Sequence, residues 1–379
     1  MNLSYKKLAL IFFVIYCLFV GADRFTGGIL YILLGTLGAA LIAKYKLENG
    51  GLYILLAALV VFYGALSHLG ILRNPWGQYY SDENLARQII IYLVFILITA
   101  ASSIIFKRFS TEDFNVNGLM VAGAYIIAAI SEYLFIYIHR ADEPANPAFI
   151  GGLNNAEFIF LALLGAWLIK KNNNLLLGLL TIAFCLAISA NSQAYIVLLL
   201  LAALLVLKNR RAIVIIYTAA LFLFALFCIS YPFYFEDYNT VIRALYWRDA
   251  TKTIFEHNMF FGVGFGGEWI KNWYPSATKL EMFDDGSQEM IHTGLHNSVI
   301  SIFFRMGFPG LIIALFLIYH LLKKSFSSKL KSYLFILIVT SLWVNVALES
   351  PLFNVSIALA WGYIVSATQK NINLRSGVK

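Results

Sequence analysis

Apolar runs recur along almost the whole chain, most of them about 15 to 23 residues long, close to the ~20 residues a helix needs to cross ~30 Å of hydrocarbon. Twelve spans are predicted, over residues 8–22, 25–43, 51–72, 86–106, 118–138, 156–169, 175–190, 194–207, 212–232, 298–322, 333–348 and 352–366. A single aqueous core cannot hide that much apolar surface. Hydrophobic residues make up 60% of the chain and charged residues 13%, against about 25% charge in soluble domains. The expected fold is therefore an all-α polytopic membrane protein of about 12 transmembrane helices, with residues 1–379 forming one integral membrane domain.

Basic residues set the orientation, because Lys and Arg collect on the cytoplasmic side of a bilayer. With a cytoplasmic N-terminus, 18 of the 28 lysines and arginines fall on that side, including Lys6, Lys7, Lys44, Lys107, Arg108, Lys170, Lys171, Arg210, Arg211, Lys323 and Lys324. Both termini are then cytoplasmic. The net charge of +8 reflects this topology and gives no support to a nucleic-acid partner. Cys17, Cys185 and Cys228 all lie inside apolar runs, so neither a disulfide framework nor a zinc spacing can be built from them. "FVGADR" is followed at once by another apolar run, which predicts a retained first helix in place of a cleaved signal.

One outside connection is much longer than the rest, residues 232–297, and long connections in compact proteins usually carry function or are disordered. This one is too aromatic and apolar for disorder. Val241, Ala244, Leu245, Ala250, Ile254 and Phe255 can share one face of a helix lying near the membrane surface, with Arg243, Arg248 and Lys252 elsewhere. The helix gives way to "HNMFFGVGFGG", whose Gly262, Gly264, Gly266 and Gly267 permit turns and close approach to a ligand, or form a plain loop.

Two stretches resemble a known family. "RALYWRDATKTIFEHNMFFGVGFG" is similar to a region of the bacterial O-antigen polymerase and ligase superfamily in which an arginine precedes an aromatic residue and a later Gly-x-Gly. Asn258 and Met259 stand where a proline is common. "HNSVISIFFRMGFPG" resembles the superfamily's His-Asn element with its spaced glycines, here His296, Asn297, Gly307 and Gly310. The resemblance covers residues 240–312 and implies a metal-independent glycosyltransferase of GT-C type, without cofactor, in the bacterial inner membrane. Undecaprenyl-diphosphate-linked glycans would be donor and acceptor at its periplasmic face, with membrane lipid around it and a chain-length regulator as a further candidate partner.

The chemistry implied by the resemblance accounts for these residue types. An acceptor hydroxyl must lose a proton as a diphosphate departs from the anomeric carbon, and an imidazole of ordinary pKa near 6.5 can take that proton. His296 is the expected general base. Planar guanidinium groups can hold the departing diphosphate through paired hydrogen bonds, with Arg243 first and Arg248 second. Asn297 would sit at the outer end of a helix whose free N–H groups favour anions, while Gly307, Pro309 and Gly310 let that helix bend. His292 either assists His296 or is a solvated loop residue.

Arg305 departs from the family, which commonly has an acidic or polar residue nearby. A charge two turns into a span is a functional candidate by default, so Arg305 either contacts phosphate or pairs with Glu349, Glu157 or Glu132. In "HRADEPANPAFIGGLNNAEF" Arg140 is displaced by several residues from the family's arginine, and Asn154 and Asn155 can act as helix caps. Trp247, Trp269, Trp273 and Tyr274 are read as sugar-stacking or bilayer-interface residues, and Asp284, Asp285 and Glu289 as a solvated turn or a sugar-hydroxyl site.

Within the family, a ligase transfers finished polymer to lipid A core, whereas a polymerase joins lipid-linked repeat units. Ligase-like members often carry an arginine after Ser or Thr where this chain has Ser192-Gln193, which favours the polymerase and keeps the ligase as the alternative. A lipid-linked-oligosaccharide transporter is a further alternative, for which related internal halves would be expected. None is visible in the sequence.

Overall fold

The computed structural model describes residues 11, 15, 29–45, 50–72, 80–108, 199–200, 203–204, 206, 209–236, 238–257, 259–267, 269–270, 292–293, 295–344, 348–349 and 351–366. Seven of the predicted spans fall on described helices: α1 (Ile29–Lys44), α2 (Gly50–His68), α3 (Asp82–Arg108), α4 (Arg210–Ser230), α6 (Ser298–Ser325), α7 (Lys329–Val344) and α8 (Pro351–Val365). The spans at 118–138, 156–169 and 175–190 lie outside the described residues, as do most of 8–22 and 194–207. Four of these helices, α2, α3, α4 and α6, are long and apolar enough to cross a membrane. At 16, 16 and 15 residues, α1, α7 and α8 are shorter than the ~20 residues of a full crossing. Large apolar side chains such as Ile54, Phe62, Ile216 and Leu223 point outward from α2 and α4, as a helix facing lipid requires.

The predicted surface helix is α5 (Tyr238–Glu256), reached from α4 through a 3₁₀ turn at Pro232–Tyr234. Its buried stripe is Val241, Ala244, Leu245, Ala250 and Ile254, as the spacing predicts, but Phe255 lies at the margin with 57% of its surface exposed. There it meets the Phe303 and Phe308 rings. A two-residue ribbon, β1 (Trp269–Ile270) against β2 (His292–Thr293), is an addition to the all-α expectation.

At the centre, α3 packs against α8, α1 and α2, while α7 joins α8, α6 and α4. Small residues let the α3 and α8 backbones approach: Ser102 donates to the Ala358 carbonyl at 3.2 Å, and Ala100 and Ala101 are buried beside it. The bundle has a basic end. Arg210 donates to the Phe326 carbonyl at 2.8 Å, and Arg211 lies over the Phe326 ring, which brings the start of α4 to the α6–α7 turn with Lys323 and Lys324. Lys331 donates to the Ile364 and Ser366 carbonyls at the end of α8. His296 and the glycine-rich loop lie at the other end of these helices.

The bend in α6 occurs at Gly307, with φ 63° and ψ −152°, a conformation that L side chains rarely adopt. A helix broken inside a membrane must have its freed peptide groups satisfied by protein. The loop at 260–264 does this residue by residue. Phe308 turns its N–H away from the Phe304 carbonyl and donates to the Phe260 carbonyl at 2.9 Å, and the N–H of Val263 takes the Phe304 carbonyl instead, also at 2.9 Å. Pro309 has no N–H for the Arg305 carbonyl; Gly264 supplies one at 2.9 Å. The Tyr63 hydroxyl donates to the Met306 carbonyl beside the bend at 3.1 Å. Gly262 is needed where loop and bend touch, because a side chain there would meet the Arg305 carbonyl and the Gly307 nitrogen at 2.5 Å. The glycines thus serve a close approach of backbone to backbone.

Candidate functional site

His296 occupies a tight elbow between the 292–295 segment and α6. It is the one non-glycine residue with positive φ among the described residues, at 52°, and such outliers collect at functional positions. The elbow is held on both sides. Upstream, the Trp247 indole donates to the Leu295 carbonyl at 2.7 Å. Downstream, the Asn297 side-chain oxygen accepts the N–H groups of Val299 and Ile300, both at 3.0 Å, and its amide donates to the Trp343 carbonyl at 3.0 Å. Asn297 is therefore the N-cap of α6, fully buried. It occupies the amides that the sequence reading left open to an anion. Ser298 adds a further tie, its hydroxyl accepting the Leu348 N–H at 3.1 Å.

Arg243 reaches the same place from α5. Its guanidinium donates to the Val344 carbonyl at 3.5 Å, next to the Trp343 carbonyl held by Asn297. Burial, with the positive charge of Arg243 second, lowers the His296 pKa to about 4. The imidazole is therefore neutral at pH 7, ready to accept a proton but weaker as a base than the ordinary value of 6.5 implies. That correction to the sequence expectation comes from desolvation.

Arg248 faces elsewhere. Five residues separate it from Arg243, about 140° around a helix of 100° per residue. It donates to Asp249 at 2.8 Å and lies over the Phe233 ring of the 3₁₀ turn. Of the two sequence candidates, only Arg243 is brought to His296. Trp247, one turn after Arg243 on α5, is 3% exposed, so it is neither a sugar platform nor an interface residue but part of the elbow.

Arg305 is engaged by protein. Its Nε donates to Glu349 Oε1 at 2.6 Å and a terminal nitrogen to Oε2 at 3.4 Å, a two-point pairing, while the other terminal nitrogen donates to the Gly267 carbonyl at 3.0 Å. Tyr92 donates to Glu349 at 3.5 Å. Gln88 accepts the Gly266 N–H at 2.8 Å, and the Ser67 hydroxyl accepts that of Phe265 at 2.8 Å. These polar side chains on α2 and α3 were passed over in the sequence; the available signal was a Ser and a Gln inside otherwise apolar runs. Gly264 lies at the Ser67 hydroxyl, and Gly310 rests on Ile302 beyond the bend. His292 pairs through its backbone with Ile270 in the ribbon. Arg140, Glu132, Glu157, Gln193, Asp284 and Asp285 lie outside the described residues. Among the described residues, no three His, Cys, Asp or Glu side chains converge as metal ligands would.

The elbow, Arg243 and the bend all belong to one stretch of chain, and a family model described as O-antigen ligase matches residues 175–315. This segment falls in the O-antigen polymerase and ligase superfamily. The match takes in α4, α5, the glycine loop and α6 to just past its bend. The matched family implies O-antigen polymerase or ligase activity, that of a glycosyltransferase-like membrane enzyme on lipid-linked glycans. No curated protein and no solved structure matches the chain.

Proposed function

We propose that this protein is an O-antigen polymerase-like glycosyltransferase of GT-C type in the bacterial inner membrane, joining undecaprenyl-diphosphate-linked repeat units at its periplasmic face. The observation that carries this reading is the neutral His296 beside Arg243, at the end of the bundle away from Lys323, Lys324 and Arg210. An acceptor hydroxyl attacks the anomeric carbon, the carbon–oxygen bond to the diphosphate breaks, and the hydroxyl proton passes to His296. Arg243 stabilises the diphosphate as its charge grows. The products are a lengthened lipid-linked glycan and undecaprenyl diphosphate, and His296 then releases its proton to solvent. On this reading Arg305 supports the fold beneath the site, and both termini are cytoplasmic.

The match to a family described as O-antigen ligase favours a second reading, transfer of finished polymer to lipid A core. Purified protein given lipid-linked repeat units, with no lipid A core, separates the two. A ladder of lengthened glycans is expected, unaffected by strong chelation. Product only when the core acceptor is added would replace the polymerase by the ligase, and no product under either condition would overturn both.

A further inference from the structure

Resting on that reading, we infer that Trp247 is a positioning residue for His296, holding the left-handed elbow that keeps the imidazole beside Arg243. The geometry is specific. The indole N–H meets the carbonyl of the residue immediately before His296 at 2.7 Å, inside the core. That carbonyl belongs to the peptide unit whose rotation would change the His296 φ of 52°. On the other side the residue that follows His296 is anchored, since the Asn297 side chain caps α6 and donates to the Trp343 carbonyl. With the preceding peptide held by Trp247 and the following residue anchored by its side chain, a flip of the Leu295–His296 peptide toward the ordinary right-handed region would break the indole bond.

Arg243 and Trp247 stand four residues apart, so they project from neighbouring positions on one face of α5. One helix therefore carries both the cation for the departing diphosphate and the donor that orients the base. Any tilt of α5 moves the two together, which preserves their separation. Catalysis is sensitive to such placement, since a misplacement of about 1 Å can lower rate by about 10²-fold. Simple core packing would require the size of the indole but not its N–H.

Two substitutions separate those requirements. Trp247→Phe keeps a large buried ring and loses the donor. Trp247→His leaves a larger void but retains a five-membered ring whose Nε2–H stands where the indole N–H was. In the lipid-linked repeat-unit assay, with rates normalised to folded protein, Trp247→Phe is expected to lower kcat by about 10-fold or more while KM for the donor stays within about two-fold. Trp247→His is expected to retain more kcat than Trp247→Phe, despite its poorer packing. The acid limb of kcat/KM should also move up in Trp247→Phe, as His296 is released from Arg243. The reverse order, with Phe more active than His, or wild-type kcat and pH profile in Trp247→Phe, would overturn the inference and leave the glycosyltransferase reading standing. Absence of product from the wild type itself would remove the reading and the inference together.

Discussion

Breaking the Arg305–Glu349 pair from one side and then from both tells whether Arg305 supports the fold or touches substrate. Both side chains are nearly withdrawn from solvent, 8% and 13% exposed, and meet at 2.6 Å. Removing one member of a buried pair strands the other charge and typically costs about 3–5 kcal/mol. Glu349→Gln should fall in that range, because the guanidinium stays buried without the carboxylate that balances its charge. Arg305→Met should cost as much, since it strands the carboxylate. In the double variant Arg305→Met/Glu349→Leu no charge remains to be stranded. Among the described residues, the neutral hydrogen bonds lost are those to Gly267 and Tyr92, together about 2 kcal/mol at about 1 kcal/mol each. The double variant should thus be more stable than either single one. Equilibrium unfolding in mixed micelles measures the stabilities, and turnover of lipid-linked repeat units per folded molecule measures function. The expected double variant recovers both. A Glu349→Gln cost under about 1 kcal/mol would refute the stranded-charge reasoning. A stable but inactive double variant would instead place Arg305 on the substrate.

Gly307→Ala should destabilise by about 3–5 kcal/mol, combining about 1–3 kcal/mol for an alanine held at φ 63°, ψ −152° with loss of loop hydrogen bonds worth about 0.5–1.5 kcal/mol each; unfolding measurements check it, and a neutral effect would mean the bend is dispensable. Arg243→Lys keeps the charge but loses the planar fork, so activity should fall by about 10²-fold with normal membrane insertion. Comparable activity with Lys would make Arg243 a general surface charge. In pH profiles, the acid limb of kcat/KM should lie near the His296 pKa of about 4, and activity should be lost only as pH falls through it. The limb of kcat should lie higher, because a bound diphosphate offsets the charge of Arg243. A common limb near the ordinary 6.5 would contradict the buried, cation-facing environment.

Much of the fold was legible because hydropathy and helix length report directly on bilayer crossing: α2, α3, α4 and α6 begin within a few residues of the predicted spans. The α5 stripe followed from its spacing, with Phe255 misplaced because the face of a helix that ends against an aromatic cluster is wider than a periodicity resolves. Gly307 and Pro309 announced a bend in α6. What no local pattern could announce was its partner, since the pairing of Phe304 and Arg305 carbonyls with Val263 and Gly264 joins segments some 40 residues apart. The same holds for the site. His296 and Arg243 stood out through their neighbours in sequence, whereas the choice of Arg243 over Arg248 required knowing where α7 ends. Asn297 read as an anion contact because an Asn before a helix is equally a cap, and only burial decides. Trp247 offered an aromatic ring to any reading, and its N–H acquired meaning only when the Leu295 carbonyl was found beneath it.

The central claim is that His296 accepts the acceptor hydroxyl's proton, and turnover of His296→Gln tests it most directly. Glutamine keeps polarity and some hydrogen bonding but takes no proton at neutral pH, so a histidine present only to shape the elbow should tolerate it. General-base contributions are typically 10²- to 10⁴-fold. Purified His296→Gln, folded and supplied with lipid-linked repeat units, is expected to lose polymer formation by a factor in that range, while His292→Gln loses much less. Wild-type polymer formation by His296→Gln would contradict the account.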